Sequence, residues 1–322
     1  MEQEYIKSNL KKILNKLPIK NVLSYSRIDT LKCPMQYKLK YIDGNYPNIK
    51  TLALELGSLC HKANELKYRG NNLDKIWNAV EKGIVDGKEK LNGISKLKED
   101  YAFEFEEVNE KSGLTYTDKL NNFKHYFYTS KLEDDWEVIG TEVEFYILFN
   151  NKAIIKGFMD RVDRNIQTGD IRVIDYKTNN KPFDKKDLAT PLQMYIYSLA
   201  CYELYGRYPI ECIYDLIFLN QTQIGGTKGY LKRGENKLNK LLDEIIYYND
   251  IGNDKMPPKP TPLCYWCNYC ENNPSAEDEK FHLCEYYSLW TPTEKTFKVN
   301  KEWNPLSLDD GWGDLEEDDG WD

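Results

Sequence analysis

Two acidic residues and a lysine in the middle of the chain have a spacing that suits metal-dependent chemistry. Asp175 and Lys177 lie two positions apart in VIDYKT, at the end of an apolar run. Alternate residues of a β-strand point to the same face of its sheet, so these two side chains are expected side by side. Asp160, in GFMDRVD, precedes them by the length of a hairpin and can reach that face from a neighbouring strand.

The charges of this group indicate what it can do. Two converging carboxylates repel each other unless a cation lies between them, and oxygen ligands of this kind suit Mg²⁺ or Mn²⁺. A lysine beside the cation can orient or deprotonate a water and stabilise the negative charge of a phosphoryl transition state. A lone Asp-x-Lys is usually a solvent-facing ion pair. The apolar strand before this pair and the Gly-x-x-Asp segment upstream favour the catalytic interpretation.

The hydrophobic pattern predicts the elements that position these residues. The segment 152–165, a turn at 167–170 and the segment 171–179 together predict an antiparallel hairpin. The charged stretch 72–135 has apolar residues at helical spacing and predicts several helices. The remaining predicted strands are 136–150 and 210–220, and the remaining predicted helices are 5–17, 24–44, 51–69, 187–206 and 234–250.

Length and composition limit the class of protein. The chain has 322 residues, of which 41% are hydrophobic and 30% charged, as expected for a soluble globular protein with one large domain or two modest ones. No apolar stretch approaches the roughly 18–20 residues of a membrane-spanning helix. The charged N-terminal segment lacks the apolar core of a signal peptide. We therefore expect no membrane partner and a cytoplasmic location, in the cytoplasm of a host cell if the chain is viral.

The acidic charge is concentrated at one end of the chain. Residues 301–322 contain nine acids and one base, whereas residues 1–300 contain 43 of each. A neutral body can still carry a local basic groove for nucleic acid. The tail is predicted to be disordered. Three interpretations stay open: a solvated end, a segment that binds a protein partner through Trp312 or Trp321, or a mimic of DNA.

Several motifs, taken in order, resemble the PD-(D/E)xK nuclease superfamily in its RecB-type exonuclease branch, which includes the iron–sulfur nucleases of CRISPR adaptation and the AddB nuclease domain. GFMDRVD followed by VIDYKT is similar to the catalytic hairpin of that branch. The other similar segments are SYSRIDTLKCPMQYKLKY, GSLCHKANE, LQMYIYSLA and the late cysteine group. Each motif alone is weak, but five in the same order over residues 24–284 are specific.

The resemblance implies an α/β fold with a restriction-endonuclease-like core, in which helices flank a mixed central β-sheet. It also implies a helical insertion and a C-terminal cysteine cluster. The implied organisation is one nuclease domain over 1–300 and a disordered acidic tail over 301–322. The implied segments are N-terminal helices 24–70, a helical insertion 71–135, a catalytic core 136–220 and a cysteine cluster 256–290.

The resemblance also implies roles for individual residues. Asp160 and Asp175 would ligate Mg²⁺ or Mn²⁺, together with His61 and the backbone carbonyl of Tyr176. Lys177 would act on the attacking water. Gln193 and Tyr197, four positions apart on one helix face, would position DNA or the lysine. A single histidine on a helix is more often a core or surface residue than a ligand, so the role of His61 depends on the resemblance.

The late cysteines are spaced for metal binding. Cys264, Cys267, Cys270 and Cys284 contain the Cys-x₂-Cys chelate spacing. One interpretation is a Zn²⁺ site made by all four, or with His282 in place of one of them. The other is a [4Fe–4S] cluster that recruits a distant cysteine. The resemblance implies this second arrangement, with Cys33, Cys264, Cys267 and Cys284 as ligands and Cys270 as the alternative to Cys284.

These observations predict a Mg²⁺- or Mn²⁺-dependent deoxyribonuclease, with exonuclease activity favoured, that acts in DNA recombination, repair or replication. Two other interpretations stay open. One is a non-catalytic DNA-binding subunit of a recombination or CRISPR-adaptation complex. The other is a zinc-stabilised interaction protein without nuclease activity.

Overall fold

The computed structural model describes residues 2–47, 50–85, 89–90, 92–110, 112–260, 264, 267–270 and 283–284. These residues divide into two compact units. The first comprises residues of Met1–Ile28 and Asn48–Tyr247, and the second comprises residues of Asp29–Pro47 and Tyr248–Asp322. The predicted tail 301–322, with Trp312 and Trp321, and also His282, lie outside the described residues. In the described part of the chain, no helix combines the length and apolar character needed to cross a membrane.

A five-stranded mixed sheet organises the first unit. Its strands are β3 (Trp136–Phe149), β4 (Ala153–Asn165), β5 (Ile171–Lys177), β6 (Glu211–Leu216) and β7 (Gln221–Ile224), in that spatial order. The β5–β6 pair is parallel, and the other neighbouring pairs are antiparallel. A separate two-stranded sheet is formed by β1 (Ile84–Val85) and β2 (Glu89–Lys90). The mixed sheet and the β4–β5 hairpin confirm the sequence prediction.

Helices precede and follow the strands along the chain, and those of the first unit cover the sheet on both faces, whereas α4 (Pro34–Tyr37) belongs to the second unit. Those before the sheet are α1 (Glu2–Ser8), α2 (Leu10–Leu14), α3 (Tyr25–Asp29), α4 (Pro34–Tyr37), α5 (Leu52–Tyr68), α6 (Leu73–Lys82), α7 (Ile94–Asp100), α8 (Ala102–Glu106) and α9 (Tyr116–Thr129). The later ones are α10 (Lys185–Ala189), α11 (Leu192–Tyr205) and α12 (Tyr230–Ile251). Short 3₁₀ or π turns occupy Thr30–Lys32, Lys38–Ile42 and Asn253–Lys255.

Successive residues of β5 point to opposite faces of the sheet and contact different helices. Ile174 and Tyr176 point to one face and join a core cluster that contains apolar residues of α5 to α9. The intervening Asp175 points to the other face, where its carboxylate meets Tyr197 of α11. Because successive strand residues alternate between faces, a single buried strand contributes both to the core and to the polar site.

The structure corrects three boundaries of the sequence prediction. The helix predicted over 187–206 is divided into α10 and α11, because Pro191 restricts the preceding residue and starts a new helix. The strand predicted over 210–220 ends at Leu216, and the polar QTQI that follows forms the edge strand β7. The helix predicted over 24–44 is a series of short α, 3₁₀ and π turns.

The second unit contains five cysteines around one cavity. Cys33 precedes α4, and Pro34 occupies the first helical position, where its missing N–H costs nothing. The amide of Met35 donates to the carbonyl of Pro257 at 2.9 Å. The hydroxyl of Tyr269 donates to the carbonyl of Asn45 at 2.6 Å. These bonds join the two sequence segments of the unit.

Candidate active site

The carboxyl end of β5 carries an ion pair held by a helix. Lys177 Nζ lies 2.5 Å from Asp175 Oδ2 and donates to Gln193 Oε1 at 3.0 Å. Gln193 Nε2 in turn donates to Asp175 Oδ1 at 3.0 Å and to the Tyr197 hydroxyl oxygen at 2.9 Å. The predicted Asp-x-Lys proximity is therefore present, and the amide of Gln193 fixes the position of the lysine.

Helix α11 carries both Gln193 and Tyr197. These side chains lie on the same face of the helix because they are one helical turn apart. The Tyr197 hydroxyl donates to Asp175 Oδ1 at 3.2 Å. Burial raises the pKa of Tyr197 well above its usual value, and the negative charge of Asp175 raises it further. The hydroxyl therefore stays protonated and remains a donor to the carboxylate. The ring of Tyr197 packs against Phe145 of β3, with centroids 6.0 Å apart.

Asp160 lies where the β4–β5 ladder stops. The last paired residues are Arg161 and Ile174. Beyond them the amide of Tyr176 donates to Asp160 Oδ2 at 2.7 Å, so the carboxylate replaces a strand partner. Burial, and then the charge of Asp175, raise the pKa of Asp160 well above its usual value. The carboxylates of Asp160 and Asp175 are stable together in their ionised form only if a cation compensates their charge.

His61 reaches the same place from α5. Its Nδ1 lies 3.4 Å from Asp160 Oδ2, and its ring meets the ring of Tyr176 edge-on at 5.9 Å. Burial lowers the pKa of His61, which favours the neutral imidazole with a free lone pair. Gly57, one turn earlier on α5, faces Thr178 just after β5. A Cβ at Gly57 would lie only 3.3 Å from Thr178 Oγ1, so the glycine lets α5 pack closely there.

Glu142 of β3 is a site residue that the sequence analysis missed. One oxygen or nitrogen from each of His61, Glu142 and Asp160 lies within 4.8 Å of the others. Glu142 has a φ of 49°, an unusual backbone conformation for a non-glycine residue in a strand. Burial, and then the charge of Glu65, raise its pKa. The only sequence signal was an acid inside a β-branched and aromatic run, and Glu144 gave the same signal.

The donor set fits a divalent cation. Two carboxylates and one imidazole form a mixed oxygen and nitrogen site, and both acids carry a charge that is costly to bury alone. Asp175 is placed differently from this group, because its oxygens contact Lys177, Gln193 and Tyr197. The predicted ligand roles of Asp175 and of the Tyr176 carbonyl therefore stay predictions.

A buried ion network supports Tyr176 from the opposite face of the sheet. Arg161 Nη1 donates to the Tyr176 hydroxyl at 3.3 Å, and Arg161 Nε lies 3.0 Å from Asp163 Oδ1. Arg172 Nε lies 2.9 Å from the other oxygen of Asp163. The guanidinium of Arg161 also lies over the ring of Tyr68, 4.2 Å from its centroid. These contacts place Arg161 and Asp163 on the face of β5 that is opposite Asp175.

The second unit brings the five predicted cysteines to one cavity. Backbone bonds from Cys267 to Cys264 and from Cys270 to Cys267, both 3.0 Å, form successive tight turns. The amide of Cys284 donates to the Tyr269 carbonyl at 2.8 Å, which places it beside Cys270. Hydrogen bonds with Cys264 and other thiols raise the pKa of Cys270, whereas a hydrogen bond from Cys270 lowers the pKa of Cys267. Thiolates are the ligands that Zn²⁺ and iron–sulfur clusters use.

Comparisons with known proteins identify the family of the chain. A family model described as the PD-(D/E)XK nuclease superfamily matches residues 22–274. One subunit of the ATP-dependent helicase/deoxyribonuclease of Clostridium perfringens is 24% identical over 213 residues, which cover 60% of this chain and 18% of the relative. The chain therefore spans less than a fifth of the length of that relative. The same protein from two other strains matches equally.

A solved structure from Eubacterium rectale, named as a candidate exonuclease, covers 82% of this chain and 89% of its own. Its sequence identity is 15% and the TM-score is 0.37.

Proposed function

Because the chain belongs to the PD-(D/E)XK nuclease superfamily, we propose that it is a divalent-metal-dependent nuclease that hydrolyses phosphodiester bonds in DNA. The resemblance inferred from the motifs is confirmed at the level of the family. One observation carries the proposal: Asp160 from β4 and the Asp175–Lys177 pair from β5 meet at the end of the sheet, beside His61. Carboxylates that can hold a divalent ion beside an ammonium group are an arrangement that can catalyse phosphodiester hydrolysis.

Different residues of the site have different proposed roles in the reaction. His61, Glu142 and Asp160 would hold Mg²⁺ or Mn²⁺, with Asp175 and the Tyr176 carbonyl as further candidates. When bound, such an ion supplies charge stabilisation to the phosphate and lowers the pKa of a coordinated water. Lys177, held by Asp175 and Gln193, presents its ammonium to the attacking water and to the negative charge that develops on phosphorus.

The finer assignment is an exonuclease that acts in DNA recombination, repair or replication. The name of the Clostridium perfringens relative, which is part of a helicase/deoxyribonuclease, supports a DNA substrate and a protein partner. The sequence contains no G-x₄-G-K-[ST] run that would bind nucleotide phosphates. In the proposed assembly, ATP-driven unwinding comes from another polypeptide segment, and the acidic tail with Trp312 and Trp321 is one candidate contact.

The test is digestion of end-labelled linear duplex, single-stranded and covalently closed circular DNA with Mg²⁺ or Mn²⁺. We expect stepwise shortening of the linear substrates and no cutting of closed circles. Linearisation of circles would replace the exonuclease assignment with an endonuclease. The proposed function fails if none of the three substrates is cut with either metal.

A carboxylate of β3 gives a specific test of the metal site. Glu142→Gln removes one of three clustered donors, so the Mg²⁺ concentration for half-maximal cleavage is expected to rise at least about tenfold. Glu144→Gln is the matched control, because Glu144 lies on the same strand but pairs with Lys7 and Lys156 at 2.7 and 2.8 Å. Metal titrations of both variants that coincide would remove Glu142 from the ligand set.

The cysteine cavity is assigned a [4Fe–4S] cluster with a structural role, and Zn²⁺ is the alternative. Cys33, Cys264, Cys267 and Cys284 are the proposed ligands, with Cys270 as the alternative to Cys284. The amide of Lys259 donates to Cys33 Sγ at 3.4 Å, the kind of bond that stabilises a ligating sulfur. An iron–sulfur protein is brown and contains acid-labile sulfide, whereas a zinc protein is colourless.

A further inference from the structure

A basic surface lies beside the candidate active site in the first unit. It is formed by the segment 181–190, which contains α10, and by the segment 226–233 at the start of α12. Together these segments contain six basic residues and two acids, Asp184 and Asp187. The excess of four positive charges contrasts with the equal numbers of acids and bases over residues 1–300. The basic residues are Lys181, Lys185, Lys186, Lys228, Lys232 and Arg233.

Arg233 joins the two segments into one surface. Its Nε donates to Thr190 Oγ1 at 2.8 Å, and its Nη2 donates to the Ala189 carbonyl at 3.2 Å. Its Nη1 donates to the Lys228 carbonyl at 2.9 Å. The amide of Gly226 also donates to the Leu188 carbonyl at 2.7 Å. The hydrogen-bond donors of Arg233 are thus used within the protein, and they hold the backbone of the two segments together.

Three of the lysines on this surface are available for an external anion. Lys185, Lys186 and Lys228 all have exposed side chains. Among the described residues, no carboxylate lies within ion-pair distance of any of the three, whereas Lys181 and Lys232 pair with Asp184 and Glu235. Ammonium groups on a fixed surface without carboxylate partners are suited to bind phosphates.

Ring contacts connect this surface to the catalytic lysine. Lys177 Nζ lies 5.7 Å from the centroid of the Tyr214 ring, which packs on Phe183 with centroids 4.6 Å apart. The side chain of Gln223 on β7 accepts from the Phe183 amide at 2.7 Å and donates to its carbonyl at 3.1 Å. The loop between Lys177 and α10 is therefore fixed against the edge strand, and the surface adjoins the reaction centre.

We propose that Lys185, Lys186 and Lys228 bind backbone phosphates of the DNA strand that enters the active site, on the α10 side and outside the reacting phosphodiester. This inference rests on the proposed nuclease function, and it adds the position of the DNA strand outside the active site. Phosphate contacts position a strand without reading its sequence. The surface is therefore expected to affect affinity and its salt dependence, and to leave the chemical step unchanged.

The test compares two triple variants of the full chain. Lys185→Gln/Lys186→Gln/Lys228→Gln removes the proposed contacts. Lys11→Gln/Lys12→Gln/Lys16→Gln removes the same charge from three exposed lysines of α2 and the residues after it, next to α1, which packs on the opposite edge strand β3. DNA affinity is measured against salt concentration in a Lys177→Ala background, and cleavage is measured in the otherwise native chain.

For the first variant we expect the negative slope of log affinity against log salt to become shallower by about 2, since each lost phosphate contact contributes roughly 0.7 to its magnitude with single strands. Affinity is expected to fall at least about tenfold, with an unchanged single-turnover rate at saturating DNA. The control is expected to match the native chain. If both triple variants bind alike while the native chain binds and cuts DNA, this surface is not the binding site. If the native chain neither binds nor cuts DNA, the nuclease function itself fails, and this inference fails with it.

Discussion

Lys177→Ala is expected to slow DNA cleavage by about 10²–10⁴-fold, the usual effect of losing a positioned acid–base or charge-stabilising group. The reason is the fixed position of the ammonium, which Asp175 and Gln193 hold at 2.5 and 3.0 Å at the end of β5. The measurement is the single-turnover rate on end-labelled linear DNA with Mg²⁺, at a protein concentration that saturates binding. DNA affinity is expected to change only a few-fold, because one ammonium among many contacts is lost.

Lys156→Ala is the matched control for this variant. Lys156 also lies on the central sheet and also binds a carboxylate, Glu144, at 2.8 Å, but that pair is at the surface. We expect its cleavage rate to equal that of the native chain. Thermal unfolding of both variants separates an effect on chemistry from an effect on folding. A Lys177→Ala protein that is folded and cuts at the native rate would place the catalytic centre elsewhere.

The part of the site that depends on local spacing was predictable from the sequence. Asp175 and Lys177 share a face because strand residues alternate, and Gln193 and Tyr197 share a face because they are one helical turn apart. Both rules hold within a single element, so they require no knowledge of how elements pack. The convergence of Asp160 with this group also followed from the short β4–β5 hairpin, whose register is limited by its turn.

Glu142 shows where this kind of reasoning fails. Glu142 and Glu144 have the same parity in β3, so alternation alone treats them as equivalent. The register shift between Val138 and Gly140 and the positive φ of Glu142 interrupt the regular strand. Glu144 then pairs with surface lysines, whereas Glu142 lies beside His61 and Asp160. A backbone irregularity that is stabilised by tertiary contacts leaves no trace in residue spacing.

The same limit applies to β7. The segment QTQI is short and has only one apolar residue, Ile224, and its strand conformation comes from antiparallel pairing with β6. Strand propensity depends on such neighbours more than on the residues themselves. Pro191, by contrast, was visible in the sequence, and the helix prediction across it underestimated the restriction that proline places on the residue before it.

Cys33→Ala is expected to remove the metal centre proposed for the cysteine cavity of the second unit and to destabilise the fold, while the residues of the candidate active site stay unchanged. Cys33 and Lys259, which donates to its sulfur, are 226 positions apart. A ligand at Cys33 and others at Cys264 and beyond would close a loop of this length. In the chain-entropy view, a cross-link of this span stabilises a protein by roughly 5 kcal/mol, an upper estimate because unfolded chains keep some structure.

The design compares metal content and stability in matched variants. Cys201→Ala is the control, because Cys201 is fully buried in α11 of the first unit and lies outside the cysteine cavity. We expect native iron and sulfide in Cys201→Ala and their loss, with a lower unfolding temperature, in Cys33→Ala. Single variants at Cys270 and Cys284 then identify the fourth ligand, since the non-ligand variant keeps its absorbance. Native metal content in Cys33→Ala would show that the late cysteines bind the metal without it, as a local zinc site does.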